Sequence, residues 1–585
     1  MKSEPRHFLL EGRGAEKEGA MKASYWTRKL VSRRAALRAA AVGGGLAALS
    51  LIGCSGGDDD KGPSASSSPT LDSTKGIPGG TFVHQRSGHP ASFALVASGQ
   101  ASLVGGLVHS GLLAFNYGTP PSNGVDVGVE PDIALALPEQ APDQLTYTFK
   151  LRPAKFHNGR DLIAADVKYS LERYAFGETS STKANWLWLD RVDAPDASTV
   201  VVKTKAPYAD ALLSLAADRD AYILAKEFEE GPDVATKMMG SGPYTFGETR
   251  APVSTTFRKN PNYYNKPYPY FDEIVMLGTN DPAKQIADFV SKSVHQTYWV
   301  SEEPRDQIKQ GRPDAKVWSY PFASFLIHMR TDKAPFNDKR VRQALSMSID
   351  RQQIRTAVSK GEGEVDQLFS PANGPRWGFR KPKDLGSAAK NWELNLQTAK
   401  QLLSAAGVTS PLEFTFSHGD PAALGQAIAD TATLAQSQWR QNGVANIKDN
   451  TLTGAVWFST TLVGNYEGMG IASGLQFNVL GTQLKNYLWA PPDGIKAAPT
   501  RNLSYINNSA LSALMDKQLT QLNHDERKQT FRGAEDILAD EMYWIPFSTG
   551  TRTYFTDPSV KNNIVPLYAY SGSTHYLKYQ WFDKA

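Results

Sequence analysis

The sequence predicts an α/β chain with several sheets, divided into more than one domain. Residues 145–151 alternate Leu145, Tyr147, Phe149 and Leu151 with Thr146, Thr148 and Lys150, the period of a half-buried strand. Stretches of helical period follow and recur to the C-terminus. With 585 residues the chain exceeds the roughly 250–300 at which a single core stops growing. No short internal repeat is visible, which excludes solenoids and propellers.

The helices read from their apolar stripes. Val167, Ser170, Leu171 and Tyr174 share one face. Val341, Ala344, Leu345, Ser348 and Ile349 share another, behind Asn337 as the expected N-cap. Ala399, Leu402, Leu403 and Ala406 form a third, closed by Gly407. Phe531, Ala534, Ile537, Leu538 and Met542 make a long late helix that ends before Pro546. Asn158-Gly159 reads as a turn. Gly240 and Gly242 are expected to adopt backbone angles closed to other residues, with Pro243 fixing the exit.

Apolar residues make up 41% of the chain and charged residues 21%, which is ordinary for a globular protein. The net charge is +4, and beyond the N-terminal segment no Lys/Arg block occurs, which argues against a nucleic-acid partner. The one cysteine, Cys54, can form neither an internal disulfide nor a thiolate cluster.

Residues 1–53 read as an export signal. A basic segment containing Ser32-Arg33-Arg34 precedes AAAVGGGLAALSLIG. That run is too short to span a bilayer, which takes about 20 apolar residues. The arginine pair resembles a twin-arginine signal, with Ala36 where a bulky residue is usual, so the general secretory route stays open. Met21 offers an alternative start with a leader of normal length. Leu51-Ile52-Gly53-Cys54 resembles a lipobox, which implies a lipid on the Cys54 sulfur. Residues 54–76, rich in Gly, Ser, Asp and Pro, read as a flexible tether.

Longer motifs carry a resemblance. LTYTFKLRPAKFHNGRDLIAADVKYSLERY at 145–174, GSGPYTF at 240–246, KNPNYYNKPYPYFDEIV at 259–275 and PFNDKRVRQALSMSIDRQQI at 335–354 occur in order. TAKQLLSAAG, SQWRQNGV and DERKQTFRGAEDILADEMYWIPF follow. From about Gly79 to the C-terminus the chain resembles family 5 extracellular solute-binding proteins, which serve ABC importers of oligopeptides, dipeptides and nickel. The resemblance implies a periplasmic-binding-protein type II-like fold with mixed sheets. It places lobe I at 77–320 and 546–585, lobe II at 321–545, and a two-segment hinge between them. It implies a monomeric receptor with no cofactor, held at the outer face of the cytoplasmic membrane. Its partners would be a small-molecule or peptide ligand and the permease and ATPase subunits.

Two departures stand out. The family usually has Thr where Ile163 precedes the helix at 164–174, and losing such a cap costs about 1 kcal/mol. Peptide-binding members commonly carry an Asp in the region matching 464–489 that pairs with the peptide amino terminus. Here Glu467 is the one acid in that stretch. An ammonium group buried without a carboxylate is costly, which weakens the peptide reading.

Candidate ligand contacts lie where the family's cleft is expected: His84, Arg86 and His89; Tyr298 and Trp299; Arg330; and Trp457, Tyr466, Glu467 and Trp489. Arg330 is expected to select an anionic group through bidentate hydrogen bonds. Tryptophans lining the cleft would favour an oligosaccharide. No His-Glu-x-x-His, Gly-x-Ser-x-Gly or P-loop occurs, so an enzyme is not expected, and no metal site is either. A secreted hydrolase with a dispersed triad, and a binding module serving a sensor or a surface chaperone, are the alternatives.

Overall fold

The computed structural model describes residues 76–583 except 87, 98–101, 117–127, 217–219, 280, 298–301, 322–324, 364–366, 370–373, 422–424, 474–478, 492–501, 548–550 and 564–573. The export signal, Cys54 and the tether lie outside the described residues.

The first sheet orders Thr81–Arg86, Glu273–Gly278, Ser254–Lys259 and Tyr244–Arg250, with the first two strands parallel and the rest antiparallel. Gln296 bridges both His84 and Thr556, carrying the sheet on to the antiparallel pair Thr551–Thr556 and Lys316–Pro321. The second sheet is an antiparallel set of Glu139–Gln140, Thr146–Lys150, Thr199–Thr204 and Leu189–Asp196. The third orders Ala445–Leu452, Leu412–Gly419, Met469–Ser473, Phe325–Met329 and Trp544–Phe547. It is mixed: Leu412–Gly419 runs parallel to both its neighbours, while Phe325–Met329 pairs antiparallel on both sides.

The chain therefore enters the third sheet once, between Pro321 and Phe325, and leaves it once, between Phe547 and Thr551. The exit lies just past the 545/546 boundary read from the sequence, because Ile545 and Phe547 still pair with Ile327 and Phe325. The cores follow this division. One apolar cluster draws on residues between Phe82 and Met276 together with Val560, Tyr576, Leu577 and Tyr579; two others lie wholly between Leu326 and Phe547.

The helical stripes are buried as their spacing requires. In Ala164–Phe176, Val167, Ser170, Leu171 and Tyr174 all face the core. Burial of each large apolar side chain contributes about 1.5–3 kcal/mol. Ile163 supplies no capping oxygen. Asp166, three residues on, accepts the Ile163 N–H at 2.9 Å and is held by Arg160 through hydrogen bonds of 2.8 and 3.0 Å. An acid in the first turn thus offsets the missing threonine.

Two local expectations need correction. The cap of Lys339–Met347 is Asp338, which accepts from the Arg340 N–H at 2.8 Å, not Asn337; the helix starts one residue later. Gly240 and Gly242 do not adopt left-handed angles. They are glycines because the chain passes against Val108: an added Cβ would lie 2.3 Å from the Val108 carbonyl oxygen at Gly240 and 2.5 Å from its carbonyl carbon at Gly242. Gly407 does close its helix at φ 80°, and Gly159 turns at φ 88°.

Candidate binding site

The sequence-derived candidates separate into buried and half-exposed groups. His84 lies in the strand Thr81–Arg86, opposite Met276 and bridged to Gln296. It is buried, and burial drives its pKa down to about 3, so it is neutral packing within the sheet. Arg86 is buried two residues further on. His89 is half-buried; its Nδ1 lies 2.8 Å from the Pro90 carbonyl and its Nε2 2.9 Å from the Thr255 hydroxyl. A carbonyl can only accept, so Nδ1 carries a hydrogen. Tyr298 and Trp299 lie outside the described residues.

Trp457 belongs to the core under the third sheet and donates its Nε1–H to the Ile471 carbonyl at 3.2 Å. Trp489 is half-buried, donates to Asp516 at 3.0 Å and is covered by the Lys485 ammonium at 5.0 Å. Trp457 is buried and offers no face for stacking, while Lys485 lies over the ring of Trp489.

Arg330, Tyr466 and Glu467 do come together. Arg330 Nε and Nη2 donate to the two oxygens of Asp332 at 2.8 and 2.6 Å, and Nη1 donates to the Tyr466 carbonyl at 2.9 Å. The guanidinium lies 3.9 Å over the Tyr505 ring. Hydrogen bonding to Asp332 holds its pKa above the ordinary arginine value. The Tyr466 hydroxyl donates to the Leu503 carbonyl at 2.6 Å, while the adjoining Glu467 side chain is exposed.

The segment 502–505, which no sequence pattern singled out, organises this wall. Thr331 donates its hydroxyl to the Ser504 carbonyl at 2.7 Å, His328 meets the Ser504 hydroxyl at 2.8 Å, and Asn502 donates to the Trp489 carbonyl at 3.4 Å. A buried Asn answering the backbone of Ile506 at both its oxygen and its nitrogen pins the turn.

A second set of residues, also missed from sequence, joins the two groups of cores. Asp210, packed beside the first sheet's core, contacts Arg527 and Thr482 from the other. Burial acts to raise the Asp210 pKa, but the Arg527 charge and three hydrogen bonds, one from Arg527 and two from Thr482, outweigh it and the net shift is downward. Asn185 accepts from Gln483 and Asn486 at 3.4 and 3.3 Å nearby.

His418 meets Asp449 and Thr451. Both partners sit on the same ring nitrogen, Nε2, at 2.9 and 3.3 Å, while Nδ1 faces the Gly419 carbonyl, so no proton relay runs through the ring. Among the described residues no group of three or more His, Cys, Asp or Glu is placed to hold a metal ion. No described helix is long and apolar enough to cross a membrane.

Residues 128–468 match the family model described as bacterial extracellular solute-binding proteins, family 5, middle region. The chain belongs to that family. The matching family is one of solute-binding proteins, not enzymes. The chain is 23% identical over 552 residues to heme-binding protein A of Haemophilus influenzae, spanning 87% of this chain and 94% of that protein. It is 23% identical over 420 residues to the glutathione-binding protein GsiB of Pectobacterium atrosepticum, spanning 70% of this chain and 78% of that one. Among solved structures, AgaA of A. tumefaciens R10 in complex with agropinic acid superposes with a TM-score of 0.73 at 22% identity, covering 86% of this chain and 99% of that one. DppA of Helicobacter pylori in complex with the peptide STSA gives 0.71 at 21% identity, covering 87% and 99%. The family 5 fold thus accounts for the mixed sheets and their order.

Proposed function

We propose that this family 5 protein is a lipid-anchored receptor that captures a small solute between two lobes and delivers it to an ABC importer. The observation that carries this reading is the single entry into the third sheet and the single exit from it, the crossings between Pro321 and Phe325 and between Phe547 and Thr551. The described residues that flank the crossings pair, Pro321 with Thr551 and Phe325 with Phe547, and two connections with adjacent ends let two rigid bodies swing about one line. Lobe I then comprises 77–320 with the C-terminal segment, and lobe II the residues between the crossings.

Cys54, following its apolar run and preceding a Gly/Ser/Asp tether, is the proposed point of lipid attachment. The solute-facing side chains we assign are His89, Arg330, Glu467 and Trp489, together with Tyr298 and Trp299. His84, Arg86, Trp457 and Tyr466 support them from within the lobes. The relatives' names span heme, glutathione, peptides and an opine-type acid, so the fold leaves the solute class open. The lack of an Asp over 464–489 favours a solute without a free ammonium terminus.

Native mass spectrometry of the protein as purified tests the reading. A reproducible mass increment that disappears on denaturation is expected, with no product formed on incubation. Turnover of the released compound would overturn the receptor assignment. Cys54→Ala is expected to release the protein from the membrane, and continued retention would remove the anchor from the proposal.

A further inference from the structure

The carboxylate of Asp210 spends both of its oxygens on the other half of the molecule. Oδ1 accepts from Arg527 Nη1 at 2.6 Å; Oδ2 accepts from the Thr482 N–H at 2.9 Å and from its hydroxyl at 3.0 Å. The side chains of Asp210 and Arg527 are 1% and 4% exposed. The receiving side is built for one carboxylate. Gln518 Oε1 accepts from Arg527 Nε and Nη2 at 3.0 and 2.7 Å, which fixes the guanidinium plane and leaves Nη1 for Asp210. Thr482 opens the helix Leu480–Leu488, so its amide belongs to the positive end of that helix.

Gly481 makes the room. A Cβ there would stand 1.9 Å from Arg527 Nη2, 2.4 Å from Gln518 Oε1 and 2.8 Å from Asp210 Oδ2. Around this seat the Ala209 N–H donates to the Leu519 carbonyl at 2.7 Å, and the Tyr208 hydroxyl meets that of Thr482. A buried ion pair holds only when every partner is present, because removing one leaves the other charged and dry. Such a contact is made or lost as a unit, whereas a scattered set of surface pairs would slide.

We propose that Asp210 is the closing contact of this receptor: a carboxylate on lobe I that seats on Arg527 and Thr482 of lobe II and holds the shut form whatever solute is inside. The inference rests on the two-lobe reading above. It makes Asp210 a positioning residue that touches no solute. The apparent affinity for any solute scales with the fraction of molecules able to shut, so losing the seat weakens binding of all solutes by a common factor.

The test uses spin labels at Lys183→Cys and Gln529→Cys, both exposed and one on each lobe, in the chain carrying Cys54→Ser. Pulsed dipolar spectroscopy on solute-free protein is expected to give one short distance with Asp210 intact. Asp210→Asn and Asp210→Ala are expected to add a longer population and raise the open-to-shut ratio by tenfold or more, with an unchanged circular dichroism spectrum. Formate is expected to return Asp210→Ala to the short distance by refilling the seat, and formamide, neutral and of like shape, is not. An unaltered distribution in Asp210→Asn, or equal rescue by formamide, overturns the proposal. Gly481→Leu separates it from the reading beneath. If that wedge lengthens the distance while Asp210→Asn does not, the lobes move and the seat is not their catch. If a folded Gly481→Leu protein shows no lengthening either, the hinged two-lobe reading itself falls.

Discussion

Arg330 and Asp332, two residues apart, face each other through two parallel hydrogen bonds of 2.8 and 2.6 Å, and the same guanidinium holds the Tyr466 carbonyl at 2.9 Å. The arginine expected to grip an anionic solute thus already grips a carboxylate of its own chain, and through Tyr466 it fixes the turn that leads into Met469–Ser473. Its side chain is 11% exposed. Arg330→Ala is therefore expected to lower stability by about 1–3 kcal/mol, since it leaves Asp332 and the Tyr466 carbonyl without their donor. Arg330→Lys recovers little, because an ammonium cannot reproduce the planar fork. Urea unfolding of both variants measures this, and a loss below about 0.5 kcal/mol for the alanine variant would show that the fork is dispensable.

The pH dependence of stability follows from buried histidines. Burial lowers the pKa of His84, His109, His328 and His575 from 6.5 to about 3, and that of His157 to about 4. Below pH 6.5 the unfolded chain binds protons that these folded rings refuse, so stability is whole above that pH and is lost as the medium acidifies. Glu229 works the other way. Burial raises its pKa to about 7, so the stability it contributes is present below its ordinary range and is lost as pH rises through 7. The melting temperature is expected to fall steadily from pH 6.5 to pH 4.5. Glu229→Gln is expected to raise it at pH 8 and leave it nearly unchanged at pH 4.5. A flat profile between pH 6.5 and 4.5 would contradict the assignment of neutral, buried rings.

Gly242→Ala tests the reason for that glycine. If freedom of φ were the reason, a Cβ would cost only backbone strain. With the Val108 backbone 2.5 and 2.7 Å from the added atom, one of the two backbones must move instead. The expected loss is about 1–3 kcal/mol or more, in the range of an overpacked core. Thermal unfolding reads it directly, and an alanine variant as stable as the parent would sink the packing account.

The start of Ala164–Phe176 offers a gain. Ile163 is 37% exposed and makes no side-chain cap hydrogen bond, so Ile163→Thr adds a hydroxyl that can accept from a first-turn amide. An increase of about 0.5–1 kcal/mol is expected, while Asp166→Ala costs about as much or more by freeing both the Ile163 N–H and Arg160. Chemical denaturation of the pair distinguishes the two effects. A threonine that gives nothing would mean Asp166 already satisfies the turn.

Much of the scaffold is legible in the sequence because it rests on local periodicity. Tyr147 and Phe149 alternate inward as read, the stripes of Val167 to Tyr174 and of Ala399 to Leu403 face their cores, and Gly407 ends its helix. Boundaries slipped where two capping residues stood side by side, as at Asn337 and Asp338. The candidate site was less legible, for a physical reason. A tryptophan that packs, such as Trp457, and one that greets a solute have the same letter and similar neighbours. Asp210, Thr482 and Arg527 belong to segments with no shared pattern, and the hydrogen bonds joining them span 272 and 317 residues. Only Gly481, an otherwise unexplained glycine at the opening of a helix, could have hinted that something large had to fit there.

The strand Thr551–Thr556, which completes the first sheet against Lys316–Pro321, is among the last parts of the chain to be made, and Phe582 rests on the ring of Phe82 near the beginning. The half made earlier thus waits for a segment that follows the whole of the other half before it can finish its own sheet. By the same logic, a frameshift or proteolytic cut after Phe547 damages the half made first, although every residue lost comes from the end.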